Sequence, residues 1–265
     1  MRNHDHATAT LPRADGGSSF RIPNSALRIS SLCHTFAGGR RALDGVSFAV
    51  AEGECVALVG PNGAGKTTLF LRLCGLLSGR PGEATVAGLD PADPAQKKQL
   101  PAAVGVLFQN ADDQLFSPTV RDDVAFGPLN LGLAEPEVNA RVADALARVG
   151  LAGYEDRVTF QMSGGEKRRA ALATLLAMRP AVFLLDEPTA SLDPRGRREV
   201  IDLVRRLPGT KLIATHDPDF VLDCCPRVLV MDGGKLVADG RAEDVLADER
   251  LLDTHGLDKP RRLRG

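Results

Sequence analysis

The chain has 265 residues, so it is long enough to bury a sizeable core as one domain or as a domain with a subdomain. Its 33 lysine and arginine and 34 aspartate and glutamate residues give a formal net charge of −1, which excludes a general electrostatic attraction to nucleic acid or anionic lipid. The five cysteines form no CxxC pair, and no apolar run is long enough to span a bilayer, so we expect a protein of a reducing compartment that is not secreted.

The N-terminal region has two parts of different character. Residues 1–25 are polar and contain glycine and serine, which predicts a disordered tail, and we interpret His4 and His6 as part of this tail rather than as metal ligands. Two short β-rich runs follow at 27–32 and 45–50, and each predicts a strand. The folded part of the chain is therefore expected to begin just after the tail.

Four apolar runs predict buried strands of one parallel sheet, because helical patterns separate them. They are CVALV at 55–59, VGVLF at 104–108, VFLLD at 182–186 and KLIAT at 211–215. Polar groups suited to phosphate chemistry follow each run: a glycine-rich loop, Gln109, the pair Asp186 and Glu187, and His216. Because ligands of open α/β sheets bind beyond the carboxyl ends of the strands, we expect these groups to meet at one edge.

The segments between these strands are predicted to be helical. Residues 194–207 place apolar side chains on one face, with Asp193 as N-cap and Pro194 in the first position, and residues 136–149 carry a similar stripe. The stretch 109–179 contains little strand signal. It therefore predicts a helical insertion between two strands of the sheet.

The segment GPNGAGKT at 60–67 matches the phosphate-binding pattern G-x-x-x-x-G-K-[ST] between a strand and a helix. Gly63 and Gly65 allow backbone N–H groups to point at phosphates. Lys66 adds a positive charge for the β- and γ-phosphates, and the Thr67 hydroxyl can ligate Mg²⁺. An ordinary glycine turn is the alternative, which the strand before it and the helix after it disfavour.

The acidic pair at the end of VFLLDE suits nucleotide hydrolysis. Asp186 can hold Mg²⁺ directly or through water, and Glu187 can orient and deprotonate the attacking water. Gln109 can contact both Mg²⁺ and that water, and His216 lies at a strand end that faces the same crevice. Alone, each residue has an ordinary explanation, such as a helix cap or a solvated side chain. Together with the glycine loop they favour a nucleotide site.

A second glycine-rich helix start, SGGEKRRAALA, begins at Ser163. A serine hydroxyl and free backbone N–H groups at a helix start form an anion site, although the loop at 60–67 already provides one. The simplest geometry is two chains arranged head to tail, each closing the nucleotide site of the other. A helix start that holds no anion is the alternative. The basic residues 167–169 behind it are interpreted as a solvated face.

The motifs GPNGAGKTT, Gln109, MSGGEKRRAALA, VFLLDEPTASLD and THD, in this order, resemble the nucleotide-binding subunits of ABC transporters, and the resemblance covers about 27–247. It implies that they are the Walker A loop, the Q-loop, the signature, the Walker B motif with the D-loop, and the switch histidine. It also places Phe36 against adenine, where the family more often has tyrosine.

The resemblance assigns roles residue by residue. The implied catalytic residues are Glu187, His216, Gln109 and Lys66, and the implied Mg²⁺ ligands are Thr67, Gln109 and Asp186. The residues implied to bind ATP are Phe36, Gly60, Asn62, Gly63, Ala64, Gly65, Lys66, Thr67, Thr68, Gln109, Ser163, Gly164, Gly165, Glu166, Asp193 and His216. Asp193 is also a good N-cap, whatever its function.

A narrower resemblance is carried by VGVLFQNADDQLFSPTVRDDVAFGPLNLGL at 104–133. This segment is similar to the energy-coupling-factor (ECF) ATPases, especially those of the cobalt and nickel type. Three residues depart from the usual patterns: Ala111 stands where this branch has proline, Met162 where leucine is usual, and Glu166 where most ABC proteins have glutamine. Little of the sequence follows GLDKP at 256–260, so the C-terminal extension that is frequent in this branch is expected to be short here.

The fold that the resemblance implies is α/β: a P-loop NTPase with a RecA-like core and a parallel sheet, an antiparallel β subdomain and an α-helical ABC subdomain. The ATPase domain is expected at 26–247, with the helical subdomain inserted at about 109–179 and a short C-terminal tail at 248–265. The implied cofactors are ATP and Mg²⁺. The implied function is ATP hydrolysis that drives an importer, with cobalt as the expected substrate.

The implied partners are a second ATPase subunit, most simply an identical one, a transmembrane coupling subunit that contacts about 109–120, and a substrate-binding membrane subunit. The implied location is peripheral, at the cytoplasmic face of the plasma membrane, and no nucleic acid is expected. An ATPase of another importer class, for nickel, biotin or amino acids, is one alternative, and the segment FQNADDQLF disfavours an importer of amino acids or other solutes. A nucleic-acid-linked ABC ATPase is another, disfavoured because this single cassette has balanced charge and no long coiled-coil pattern.

Overall fold

The structure, a computed structural model, describes residues 25–263, so the predicted disordered tail with His4 and His6 lies outside the described residues except for its last position. The strands are β1 (Ser25–Thr35), β2 (Arg41–Ala51), β3 (Cys55–Val59), β4 (Ala84–Val86), β5 (Val104–Leu107), β6 (Val182–Asp186), β7 (Thr210–Ala214), β8 (Arg227–Asp232) and β9 (Lys235–Arg241). The helices are α1 (Lys66–Leu73), α2 (Pro94–Lys97), α3 (Leu100–Ala103), α4 (Val120–Asn130), α5 (Glu135–Arg148), α6 (Gly164–Met178), α7 (Pro194–Arg206), α8 (Pro218–Cys224), α9 (Ala242–Val245) and α10 (Glu249–Thr254). Short 3-10 turns lie at Ala111–Asp113, Thr159–Gln161 and Arg261–Leu263.

A six-stranded sheet in the order β5-β6-β7-β3-β8-β9 forms the centre of the fold. Its first five strands are parallel, and β9 pairs antiparallel with β8. The four runs predicted as parallel strands are β3, β5, β6 and β7, so this prediction is confirmed. Sequence reasoning missed β8 and β9, although RVLVMD at 227–232 has an apolar centre.

The large sheet is covered on both faces, which explains its unbroken apolar runs. Alternate side chains of β6 enter different cores. Phe183 and Leu185 belong to the core shared with helices α4 to α8, whereas Val182 and Leu184 belong to the core shared with β1, β2 and α1. All four side chains are fully buried. The faces are therefore closed, and the edge at the strand ends is left for a ligand.

A separate antiparallel sheet, β2-β1-β4, lies on one of these faces. It is the antiparallel β subdomain that was predicted near the N-terminus. Together with the parallel sheet and the helices, it confirms the expected P-loop NTPase fold. Its third strand, Ala84–Val86, is short and was not predicted. The sheet brings the start of β2 against the glycine loop: a Cβ atom on Gly65 would lie 2.6 Å from the Ala42 carbonyl oxygen. Only glycine therefore fits at position 65.

The segment between β5 and β6 is helical, as predicted for 109–179, and contains α4, α5 and α6. Helix α6 is the centre of this insertion, because eight of its side chains are buried and it contacts α4, α5 and α7. No helix between residues 25 and 263 is long and apolar enough to cross a membrane.

Residues 248–263, which we expected to follow the domain as a short tail, fold back onto it. The His255 imidazole Nδ1 lies 2.9 Å from a carboxylate oxygen of Asp232, at the turn between β8 and β9. The last 3-10 turn is bound to α8 through the carboxylates of Asp219 and Asp223. Because of these contacts, the C-terminal residues lie beside the carboxyl ends of the parallel strands, where the polar groups meet.

Candidate functional site

The carboxyl ends of four neighbouring strands, β5, β6, β7 and β3, meet at one cavity of about 510 Å³. This volume is typical of small-molecule sites. The cavity is lined by Arg40, Ala42, Gly60, Pro61, Asn62, Gly63, Ala64, Gly65, Lys66, Thr67, Thr68, Gln109, Asp186, Glu187, His216, Gly256, Leu257 and Asp258. Every polar group that was predicted to follow a strand end is among them.

The glycine loop between β3 and α1 forms one wall of this cavity. Helix α1 begins at Lys66, so the N–H groups of its first turn have no partner within the helix. Lys66 Nζ donates to the carbonyl oxygens of Gly60 at 2.6 Å and Pro61 at 3.2 Å, which keeps the ammonium group over the loop. Burial lowers the pKa of Lys66, and the nearby Glu187 and Asp186 carboxylates oppose this shift. A phosphate group in the loop would supply a further negative charge that favours the charged lysine.

Thr67 and Asp186 are the pair predicted to hold Mg²⁺. The Thr67 hydroxyl donates to Asp186 Oδ2 at 3.0 Å. Burial raises the pKa of Asp186, and the hydrogen bond from Thr67 opposes this rise. Both side chains line the cavity together with Gln109, so the donor set consists of the oxygen ligands that Mg²⁺ prefers. These residues fit a Mg²⁺ ion that takes its remaining ligands from phosphate and water.

Glu187 is tightly held at the end of β6. Its side chain is buried, and its carboxylate oxygens lie 2.8 Å from His216 Nδ1 and 3.1 Å from the Thr215 hydroxyl. Its backbone φ of +47° is a strained value for a residue other than glycine, and such strain is concentrated at functional sites. The His216 side chain is 70% exposed, so it forms the open side of the site. The Glu187 carboxylate is therefore fixed at the cavity wall.

Gln109 is positioned by a buried arginine whose place we predicted wrongly. Arg168 was interpreted as part of a solvated face with Lys167 and Arg169, yet it is only 4% exposed. Its guanidinium donates to the carbonyl oxygens of Phe108, at 2.7 Å, and of Gln109. The correction has a physical reason: α6 is buried on most of its surface, and buried carbonyl groups beside it need hydrogen-bond donors.

Replacing Arg168 by methionine is expected to lower the free energy of unfolding by about 3 kcal/mol, because two carbonyl oxygens lose their charged donor. ATP hydrolysis is expected to fall as well, since the backbone of Gln109 is no longer held. Chemical denaturation beside Arg198→Met, which removes an exposed arginine of α7, measures the effect. An unchanged denaturation midpoint for Arg168→Met would contradict this role.

The second glycine-rich helix start is a capping box. The Ser163 hydroxyl oxygen accepts from the Glu166 N–H at 3.3 Å, and the Glu166 carboxylate accepts from the Ser163 N–H at 2.8 Å. The Tyr154 hydroxyl donates to the other Glu166 oxygen at 3.0 Å. The hydrogen bond from the Ser163 backbone is the main cause that lowers the pKa of Glu166. Because the serine oxygen accepts its bond, its own proton remains free to donate to an anion.

This helix start lines a cavity of its own, of about 560 Å³, together with Asp193. Asp193 Oδ1 accepts from the Gly196 N–H at 2.7 Å, so the predicted N-cap of α7 is confirmed. An ion pair between Arg169 and Glu199 joins the starts of α6 and α7. Among the residues that the structure describes, none lines both this cavity and the one at the strand ends. The glycine loop at 60–67 and the helix start at Ser163 therefore line separate cavities within one chain.

Phe36, which was predicted to stack on adenine, lies outside the lining of the cavity at the strand ends. Its ring makes an edge-to-face contact with His34, with the ring centroids 4.8 Å apart, and it is 39% exposed. Phe36 begins the turn that enters β2, and Arg40 at the other end of this turn does line the cavity. An adenine contact by Phe36 remains a prediction.

Sequence reasoning missed the C-terminal wall of the cavity, which residues 256–258 form. No local pattern signals it, because the position of this segment depends on the contact of His255, at the end of α10, with Asp232, at the end of β8. It also missed Tyr154 and Thr215. The available signal for Thr215 was its place beside His216 at the end of a strand.

Comparison with known proteins agrees with this geometry. The family model described as ABC transporter matches residues 43–190. A Streptomyces avermitilis protein with a provisional name as an ABC transporter ATP-binding protein is 48% identical over 244 residues, which are 92% of this chain and 93% of that protein. The energy-coupling factor transporter ATP-binding protein EcfA of Methanothermobacter thermautotrophicus is 43% identical over 240 residues, 89% of this chain and 77% of EcfA.

The fold also matches a solved structure with substantial sequence identity. CbiO1 from Clostridium perfringens, described as part of the ABC transporter complex CbiONQ, has a TM-score of 0.77 and 36% identity, over 88% of this chain and 94% of CbiO1. The similarity therefore extends over most of the chain and is not restricted to short motifs.

Proposed function

This chain belongs to the family of ABC transporter ATP-binding proteins, and we propose that it hydrolyses ATP to drive an importer of the energy-coupling-factor type. The observation that carries the proposal is the convergence of Lys66, Glu187 and His216, from the ends of three neighbouring strands, on one cavity. The similarity to EcfA and CbiO1 supports the importer class.

In this proposal the phosphates of ATP lie in the glycine loop. The ammonium group of Lys66 exchanges the loop carbonyl oxygens for phosphate oxygens, and the first N–H groups of α1 donate to phosphate. Thr67, Gln109 and Asp186 hold Mg²⁺, which when bound neutralises the phosphate charge. The loop and Lys66 therefore bind and orient the nucleotide.

Glu187 accepts the proton of the attacking water. Its carboxylate lies within hydrogen-bond distance of His216 and Thr215, so it is held in one place as the water approaches. Gln109 lines the same cavity, and its neutral amide orients that water. In this scheme the protein supplies positioning and charge neutralisation rather than a covalent intermediate.

A second copy of the chain completes the catalytic site around the nucleotide. The Ser163 hydroxyl lies at a cavity that is separate from the nucleotide cavity of its own chain, which supports an arrangement in trans. A two-fold, head-to-tail pair places this helix start over the phosphates in the partner and forms two composite sites. The pair closes around ATP and reopens after hydrolysis, and this motion is transmitted to the membrane subunits.

The surface proposed to contact the transmembrane coupling subunit includes the segment 109–120. Phe116 in this segment is 65% exposed and packs edge-to-face on Phe126 of α4, with the ring centroids 4.9 Å apart. Phe160 is 76% exposed and lies on a 3-10 turn that a hydrogen bond joins to the same segment. We call these three side chains the aromatic patch. Clustered exposed aromatic side chains are typical of an interaction surface.

Replacing Phe116 by alanine is expected to lower both substrate uptake and the yield of co-purified membrane subunits at least about fivefold, because the ring becomes buried only on docking. The ATPase activity of the isolated chain is expected to stay within about twofold of wild type. Leu76→Ala, which truncates a 62% exposed apolar side chain outside the aromatic patch, is the control. Equal uptake and equal co-purification for the two variants would contradict the docking surface.

The proposed substrate is cobalt, and the support is the resemblance of residues 104–133 to ATPases of the cobalt and nickel type. The membrane subunits carry the selectivity in this scheme, because the ATPase does not touch the substrate. Purifying the complex, identifying its substrate-binding subunit, and measuring ATP-dependent uptake of cobalt, nickel, biotin and amino acids in vesicles tests the assignment. Uptake of cobalt above the others supports it, and uptake of another solute alone assigns the alternative importer class.

A further inference from the structure

Arg40 lies at the nucleotide cavity and has no role in the function proposed above. It ends the turn between β1 and β2, which is closed by hydrogen bonds from the Phe36 N–H to the Arg40 carbonyl oxygen at 3.0 Å and from the Gly39 N–H to the Phe36 carbonyl oxygen at 2.9 Å. The Arg40 side chain extends from this turn into the lining of the cavity. The turn therefore carries an aromatic ring at one end and a guanidinium at the other.

The guanidinium lies against the glycine loop. A Cβ atom built on Gly63 would lie 3.5 Å from Arg40 Nη2, and Gly63 itself has a φ of +82°. Because position 63 carries no side chain, nothing separates the guanidinium from the loop backbone there. The cation consequently stands beside the backbone N–H groups that cradle phosphates in such loops.

Arg40 also differs from its neighbour Arg41 in its charged partners within the described part of the chain. Arg41 Nη2 lies 2.6 Å from Asp44 Oδ1 and 3.5 Å from Cys33 Sγ. Within residues 25–263, Arg40 forms no ion pair and its side chain forms no hydrogen bond. Its N–H donors are therefore free to bind a ligand of opposite charge.

We propose that Arg40 binds the polyphosphate of the nucleotide held by the same chain. The inference rests on the proposed function, because it requires ATP in the cavity. A guanidinium presents a planar fork of donors that matches two phosphate oxygens, whereas the ammonium group of Lys66 is a point charge. Arg40 therefore strengthens the binding of nucleoside di- and triphosphates and contributes little to the binding of a nucleoside.

Nucleotide titrations of the full chain in the presence of Mg²⁺ test this proposal. We expect Arg40→Ala to raise the Kd of ATP and ADP about tenfold, and that of adenosine less than about twofold. Arg40→Lys is expected to recover only part of the loss, since lysine keeps the charge but not the fork. The matched control is Arg41→Ala, which is expected to bind all three ligands within about twofold of wild type because Arg41 is paired with Asp44.

Three results would overturn the role of Arg40. The first is a wild-type affinity of Arg40→Ala for ATP and ADP. The second is a loss of affinity for adenosine as large as the loss for ATP. The third is normal ATP binding combined with loss of ATP-dependent dimers, which would assign Arg40 to the nucleotide of the partner chain. Lys66→Ala distinguishes these results from failure of the nucleotide site itself. If the wild-type chain bound no ATP, or if Lys66→Ala bound ATP as well as wild type does, the proposed function would fail first.

Discussion

Replacing Glu187 by glutamine is expected to leave ATP binding within about threefold of wild type and to slow hydrolysis at least about a hundredfold, because a neutral amide cannot take the proton of the attacking water. Glutamine keeps the size of the side chain and one acceptor oxygen for Thr215 or His216, so the site should stay folded. ATP then remains in the closed site. We therefore expect ATP-bound dimers to accumulate, measured by light scattering with Mg²⁺ and ATP.

A control separates the charge of Glu187 from a general effect of removing a carboxylate. Glu243→Gln makes the same change at a side chain that is 75% exposed on α9. It is expected to leave ATP turnover and the monomer–dimer equilibrium unchanged. Undiminished turnover in Glu187→Gln would remove Glu187 from the role of general base, whatever its effect on dimers.

Mixing Ser163→Arg chains with Lys66→Ala chains is expected to restore ATPase activity that each variant lacks alone. In a mixed dimer, the intact glycine loop of the first chain faces the intact helix start of the second, while the other composite site carries both defects. Random pairing of equal amounts makes about half of the dimers mixed, and each mixed dimer has one working site out of two. The expected activity is therefore about a quarter of the wild-type value if the two sites act independently.

The complementation has an internal check, since the two chains can carry different affinity tags. Tandem purification in the presence of Mg²⁺ and ATP shows that mixed dimers form. Activity of the purified mixed dimer no higher than that of either variant alone would contradict the arrangement in trans. An ATPase activity of Ser163→Arg alone equal to wild type would contradict it as well, because that chain would not need the helix start.

Local patterns were sufficient to predict most elements that carry the site. The apolar runs at 55–59 and 182–186 became β3 and β6 with the same bounds. Asp193 and Pro194 begin α7 as expected. Each of these features depends on residues a few positions away, through capping, turn chemistry and burial pattern. A single sequence therefore contains enough information to locate them.

Long-range pairing could not be predicted in the same way. The run at 227–232 became β8 and lies between β3 and β9, but neither its pairing with β3 nor the antiparallel edge strand was foreseen. Strand order depends on competition among all apolar runs for the same sheet, and the period of a run does not reveal its neighbours. The contacts that residues 248–263 make with the rest of the domain could not be predicted for the same reason.

The sequence by itself determined the chemistry of this protein: which strand ends carry phosphate-binding and acidic groups, and the presence of two glycine-rich helix starts. Only the tertiary structure decided that Arg168 is buried behind Gln109, that Arg40 reaches Gly63, and that residues 256–258 line the cavity. The physical reason is the distance along the chain between the residues that interact. A cap or a turn is determined by adjacent residues, whereas the burial and the partners of a side chain depend on segments that meet only when the sheet and the helices pack.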